Sequence, residues 1–327
     1  MTPGLGRFLL HAMVLIGAGS CVGAGLHAQT PAPVQLAPAS SHFERVWHFG
    51  RTTGDLSRII AFYDGLLGLE LRGARDQRLP FLSSPALNEF VAAPASSQFR
   101  AVHLSIPGAG PSPSASLEAF EYCNVDRRQV LPPLSAIGVP SLRFFVRDLD
   151  AVVAAARAAD VSFITEGGAP LRVPPPPGFE GDARAVMVRD PDGYPVELMQ
   201  LRPDADSIGN AQARVLGAAT VVVVADLEAS LRFYREFIGE PVTVSPVSAW
   251  SQDDGIERVR GVPAAEHRRA SIMLPGTTLR LELLQFRVYG SRSIGPCFRI
   301  SAPGTSRCTR GTWRQLLPRY FVSVAER

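Results

Sequence analysis

All 33 basic side chains of this 327-residue chain are arginine, so it has no lysine for a Schiff base or for a phosphate-binding P-loop, and both chemistries are excluded. The formal net charge of +3 sits at the ends: residues 29–289 hold 25 arginines against 29 acids. A slightly acidic body excludes nucleic acid as a partner, and the length is enough for several small repeated units around a sizeable core.

The N-terminus places Arg7 before a mostly apolar run from Phe8 to Leu26 and then small residues. Residues 1–28 therefore read as an export signal cut after Ala28, giving a periplasmic or secreted product with no membrane span after cleavage. Lipoprotein anchoring through Cys21 fits less well, because Ala18 stands where a leucine is usual. Residues 29–41 form a Pro/Ala linker. The mature chain keeps Cys123, Cys297 and Cys308, an odd and scattered trio with neither a disulfide framework nor zinc spacing. A Cys297–Cys308 bridge stays open in an oxidising compartment.

From residue 42 one pattern repeats. DLSRIIAFYDGLLGLEL from Asp55 and DLEASLRFYREFIGEPV from Asp226 share Asp-Leu, Phe-Tyr at one offset and Gly at a later one. Leu56, Ile59, Ile60, Tyr63, Leu66 and Leu67 recur at helical spacing, with Asp55 as N-cap and Gly68 just past the end. A weaker copy, DLDAVVAAARAADV, starts at Asp148. A short strand precedes each helix (Val46–Gly50, Ser141–Val146, Val221–Val224). Further strands follow it, and the last always opens with an apolar residue and Glu: Leu117–Tyr122, Val196–Leu201 and Leu281–Phe286. The unit is thus βαβββ, about 80 residues long, beginning at 42, 138 and 215.

This order of elements, with DPDGYPVEL closing the second unit and the Phe-Tyr helix opening the first and third, resembles the vicinal oxygen chelate superfamily. That group includes glyoxalase I, bleomycin-resistance proteins and extradiol dioxygenases. The resemblance covers about residues 42–289. It implies an α+β fold in which tandem βαβββ units pair into an open eight-stranded cup. Here residues 42–203 would be the paired domain, and the third unit, 215–289, would be a half domain without an evident partner.

The resemblance also implies metal ligands on the first and last strand of each unit. The leading histidine is expected seven residues before the helix-opening Asp. That position is His48 in the first unit, Ser141 in the second and Ala219 in the third. The last-strand positions are Glu118 and Glu197, with Glu282 in the third unit. The implied metal set is His48, Glu118 and Glu197, holding one divalent ion (Mn, Fe, Ni or Zn), with Glu197 doubling as the catalytic base. Ser141, Arg143 and His103 are candidate substrate contacts, since an arginine in a cup suits an anion. Each has a plainer reading: a hydrogen-bonded strand histidine for His48 and His103, a solvated carboxylate for Glu118, an edge salt bridge for Arg143. Glu121 competes with Glu118, and His42 and His267 read as solvent-facing. Pro174–Pro177 reads as a stiff loop bordering the opening.

After Tyr289 the periodicity ends, and residues 290–327 read as a basic irregular tail, either frame-shifted from a longer four-unit protein or disordered. A third reading has the third unit pair with another chain's third unit, making a homodimer. The functional expectation is an exported glyoxalase-like protein, a metal-dependent lyase or isomerase acting on a small oxygenated molecule. The alternatives are a metal-free small-molecule binder of the bleomycin-resistance type and, third, an extradiol-type dioxygenase.

Overall fold

The computed structural model describes residues 37–73, 79–91, 93–108, 115–125, 131–202, 213–252, 254–262, 265–287 and 322–324. The expected signal segment, the start of the linker, Cys297, Cys308 and most of the tail lie outside them. The first unit runs β1 (Val46–Thr53), α1 (Leu56–Ile60) continuing as a π-helical segment Ala61–Leu66, β2 (Glu70–Leu71), α2 (Pro85–Phe90), β3 (Gln98–Ser105) and β4 (Ser116–Cys123). The second runs β5 (Pro140–Val146), α3 (Leu149–Ala158), β6 (Leu171–Val173), β7 (Asp182–Arg189) and β8 (Pro195–Arg202). The third has β9 (Val215–Val223), α4 (Leu227–Ile238), α5 (Asp254–Arg260), β10 (Glu266–Met273) and β11 (Arg280–Arg287). A last strand, β12, covers Val322–Val324.

The repeat is visible in how the helices begin. Asp55 accepts hydrogen bonds from the Ser57 and Arg58 amides, Asp148 from Ala151 and Asp226 from Ala229. Each cap satisfies amides that have no partner within the helix, a contribution of about 1 kcal/mol apiece. Gly68 then ends the first helix at φ 79°, a left-handed conformation that side chains disfavour. The apolar stripes, Leu56, Ile59 and Tyr63 in α1 and its π-helical continuation, Leu149, Val152 and Val153 in α3, and Leu227 and Leu231 in α4, share one core with Leu117, Phe144, Leu198 and Leu283 of the strands.

The α+β class and the tandem units are as the sequence implies, but the pairing of units differs. β5 hydrogen-bonds β9 antiparallel (Ser141 opposite Val221, Arg143 opposite Ala219), giving a seven-stranded sheet in the order β10-β11-β9-β5-β8-β7-β6. The third unit therefore has a partner, and it is the second unit. The first unit stands in a separate sheet of order β12-β1-β4-β3-β2. Burial explains the choice. All seven residues of β5 are buried, as are seven of the nine in β9, so both strands need neighbours on each edge. β1 carries His48, Arg51 and Thr52 among its residues and lies inside only the three-residue cover of β12.

The DPDG turn ties the first unit to the second. Asp190 is buried and accepts from Arg51 and from the Tyr63 hydroxyl (2.9 Å), while its other oxygen accepts the Asp192 and Tyr194 amides. Asp192 accepts from Arg51 (2.8 Å) and from the Gly54 amide. Burial pushes the Tyr63 phenol up to about 12, although Arg51 opposes the shift. No helix among the described residues is long and apolar enough to cross a membrane.

Candidate functional site

Strand register decides which side chains meet. In the first sheet His103 of β3 pairs with Glu118 of β4, and Gly50 of β1 lies on the other side of Glu118, two residues beyond His48. Alternation puts His48, His103 and Glu118 on one face. His48 Nε2 is 2.7 Å from one Glu118 oxygen and His103 Nε2 is 3.3 Å from the other. One ligand atom from each of the three lies within 4.8 Å of the others. His103 Nδ1 contacts the Ser116 hydroxyl at 3.3 Å, which orients the ring. Burial holds His103 below the ordinary imidazole range, with His48 and Arg72 adding to the effect and Glu118 opposing it. The neutral imidazole that results is the form that ligates metal.

The same face continues into aromatic side chains. Phe99, Phe120 and Tyr122 pack with ring centroids 5.8–6.2 Å apart, Phe120 two residues from Glu118, Tyr122 four from it and Phe99 four from His103. Glu121 points the other way: it accepts from the Leu56 amide and from Arg100, so it does not compete with Glu118.

Glu197 does not join this group. It lies in the other sheet, opposite Arg143, on a face that α5 covers with Ile256 and Val259, packed with Val262, Phe145, Met187 and Met199. There Glu197 accepts from Arg143 (3.1 Å) and Arg260 (3.4 Å), and Arg143 also donates to Glu282 at 2.5 Å. Ser141, fully buried, accepts from Arg260 at 3.3 Å. So the expected metal ligand and base is an ion-pair partner, and Ser141 and Arg143 belong to a filled face. A guanidinium occupies the ground a metal would need. His267, expected in solvent, is buried on β10 and bonded to Glu257 of α5 at 2.9 Å. His42 is exposed as expected, and the Pro174–Pro177 loop rims the filled face through carbonyls that accept from Arg269 and Ser271.

Burial alone would lower the Arg143 pKa, but Glu197 and Glu282 raise it above the usual arginine value. Burial likewise works to raise Glu282, and Arg143 and Arg269 outweigh it, leaving that carboxyl below its usual range. A carboxylate depressed on folding contributes stability that is complete above its unfolded value, 4.5, and lost as pH falls through the lower folded value. Thermal midpoints are thus expected to hold from neutrality to about pH 5 and fall below it, with a shallower acid-side fall in Glu282→Gln. Melting curves across that range check this.

The sequence names His103 as a candidate substrate contact, and the register puts it against Glu118 beside His48. Arg260 and α5 went unread, although Ile256, Val259 and Arg260 follow helical spacing in DGIERVR.

Residues 45–198 match the family model described as the glyoxalase/bleomycin resistance protein/dioxygenase superfamily. Among solved structures, glyoxalase I from Zea mays is similar at 19% identity and TM-score 0.46, over 76% of this chain and 68% of that one. A glyoxalase family protein from Bacillus cereus is similar at 16% identity and TM-score 0.36, over 48% and 93%. A glyoxalase/bleomycin resistance protein/dioxygenase from Alicyclobacillus acidocaldarius is similar at 17% and TM-score 0.28, over 48% and 91%. No curated protein matches the chain. The matched segment begins just before β1 and ends within β8, taking in the face that carries His48, His103 and Glu118, so what matches the glyoxalase/bleomycin resistance protein/dioxygenase superfamily model is the first unit and most of the second.

Proposed function

We propose that the first unit binds one divalent metal ion through His48, His103 and Glu118 and acts on a small molecule presenting two adjacent oxygens. The observation that carries this is the convergence of three donor atoms within 4.8 Å on a partly open face. Bonds of ~2.0–2.2 Å to a shared ion require donors about that close. Two imidazoles and one carboxylate suit Fe²⁺, Mn²⁺, Ni²⁺ or Zn²⁺ and leave positions for substrate oxygens. When bound, the ion supplies Lewis-acid polarisation of those oxygens. The protein's own share is to hold three donors on adjacent strands, to keep His103 neutral by burial, and to offer Phe99, Phe120 and Tyr122 as an apolar bed for the rest of the molecule.

Of the metal-dependent readings, this donor set favours the extradiol-type dioxygenase over the lyase or isomerase, because two histidines and one carboxylate typify oxygen-activating iron sites. A metal-free binder is the second reading, favoured by the direct contacts that Glu118 makes with both imidazoles. A homodimer is proposed through the first unit rather than the third, whose leading strand β9 is already paired with β5. Export through residues 1–28 is proposed on the sequence of that segment. The test is to load metal-stripped full-length protein with Fe²⁺, Mn²⁺, Ni²⁺ or Zn²⁺ in turn and assay oxygen uptake and product formation with catechols and with small 2-oxo aldehydes. Turnover that appears with metal and vanishes with chelator supports the proposal. Ligand binding with no metal uptake sinks it and leaves the binder.

A further inference from the structure

Strand register arranges the partly open face of the first sheet in rows. His48, Ser116 and Ser105 stand opposite one another across β1, β4 and β3, and the next row on that face is Gly50, Glu118 and His103. Two residues further along each strand come Thr52, Phe120 and Ala101, and beyond them Tyr122 and Phe99. Leu82 extends this last row. It exchanges both backbone hydrogen bonds with Phe99, at 2.7 and 2.9 Å, so the two side chains lie on one face. The face thus passes from hydroxyls, imidazoles and a carboxylate to a methyl group and then to rings and a leucine.

The apolar end stays open to solvent. Leu82 is 56% exposed, while Phe99, Ala101 and Phe120 are partly exposed and Tyr122 is packed between the two phenylalanines. A single exposed leucine is commonplace. Here it prolongs a row of rings that leads away from three converging donor atoms. Apolar surface left in water beside a polar cluster gains free energy from any ligand whose own apolar part covers it. From His103 to Phe99 is four residues, roughly 13 Å at the rise of a strand, which is longer than a benzene ring.

We propose that the substrate of the first unit carries an apolar tail that runs from the His48, His103 and Glu118 group along this track to Leu82, and that Leu82 sets the length of tail accepted. This rests on the reading of those three residues as the place where the substrate's oxygens bind. The experiment is calorimetric binding of catechols bearing one straight alkyl tail, from methyl to decyl, to metal-loaded full-length protein, repeated with metal-stripped protein. Affinity is expected to rise about 2–4-fold for each methylene until the tail reaches Leu82, and then to level off. Leu82→Gln, a change at an exposed position, should lose the gain of the longest tails and bind the methyl compound as the parent does. The same length dependence in metal-stripped protein upholds the track even where no metal is taken up. Metal-dependent turnover with a flat length series overturns the track and leaves the metal reading standing. A rise that never levels and is shared by Leu82→Gln is adsorption, and overturns it too.

Discussion

Replacing His103 by alanine is expected to abolish stoichiometric binding of Fe²⁺ or Zn²⁺, weakening it at least ~10²-fold, beyond the ~10–100-fold typical of a residue that only supports a ligand. His48→Ala and Glu118→Ala should do the same, because each removes one of three donors that lie within 4.8 Å of one another. Glu197→Gln should leave metal affinity unchanged, since Glu197 spends its charge on Arg143 and Arg260 in the other sheet. Calorimetric metal titration of the four variants reads the outcome, with circular dichroism to confirm folding. Equal losses in Glu197→Gln and His48→Ala would return the site to Glu197. Full affinity in His103→Ala would reduce that histidine to a strand residue. The folded state itself should tolerate the three first-unit substitutions, because His48, His103 and Glu118 are all partly exposed.

The largest loss of stability is expected from Arg143→Met. Arg143 is buried and donates to Glu282 at 2.5 and 3.3 Å and to Glu197 at 3.1 Å. Removing it strips two buried carboxylates of their main cation, and breaking a buried pair from one side costs about 3–5 kcal/mol. For a body of this size that is a drop of ~10 °C in the midpoint. The triple replacement Arg143→Met, Glu197→Leu, Glu282→Leu should recover much of the loss, since apolar groups of similar volume often match a buried ionic cluster. Calorimetric unfolding of both variants separates the outcomes. A single variant as stable as the parent would mean that Arg143 contributes little net energy.

Local signals were legible because they are local. The three capping aspartates, the Phe-Tyr helix stripe, the alternating last strands and the DPDG turn each rest on chemistry within a dozen residues, and each stands where the repeat placed it. Which unit shares a sheet with which is decided by edge pairing across 70–80 residues. Two candidate edges, β1 and β9, could have met β5, and only the burial of both faces of β9 distinguishes them. The same limit explains His103. Its strand was read, but whether it meets Glu118 depends on the register of β3 on β4 across residues 109–114, and a slip by one residue would turn it to the opposite face. Glu197 misled for a related reason. Its turn fixed which way it points along its own strand, and a nonlocal helix, α5, decided what it would point at. The DPDG aspartates, read as a signature of fold, hold Arg51 and Tyr63 of the preceding unit.

With α5 covering a face of the second sheet and the face of the first left partly open, the proposed function divides the labour between the two sheets. Substitutions on the α5-covered face should change how long the protein survives heat without changing what it does to a small molecule. Substitutions among His48, His103 and Glu118 should change chemistry while the melting curve stays in place. In a random library scored for both traits, lesions would fall into two populations that map onto the two sheets. A selection for activity at raised temperature would then draw its gains from the sheet that lies outside the proposed site.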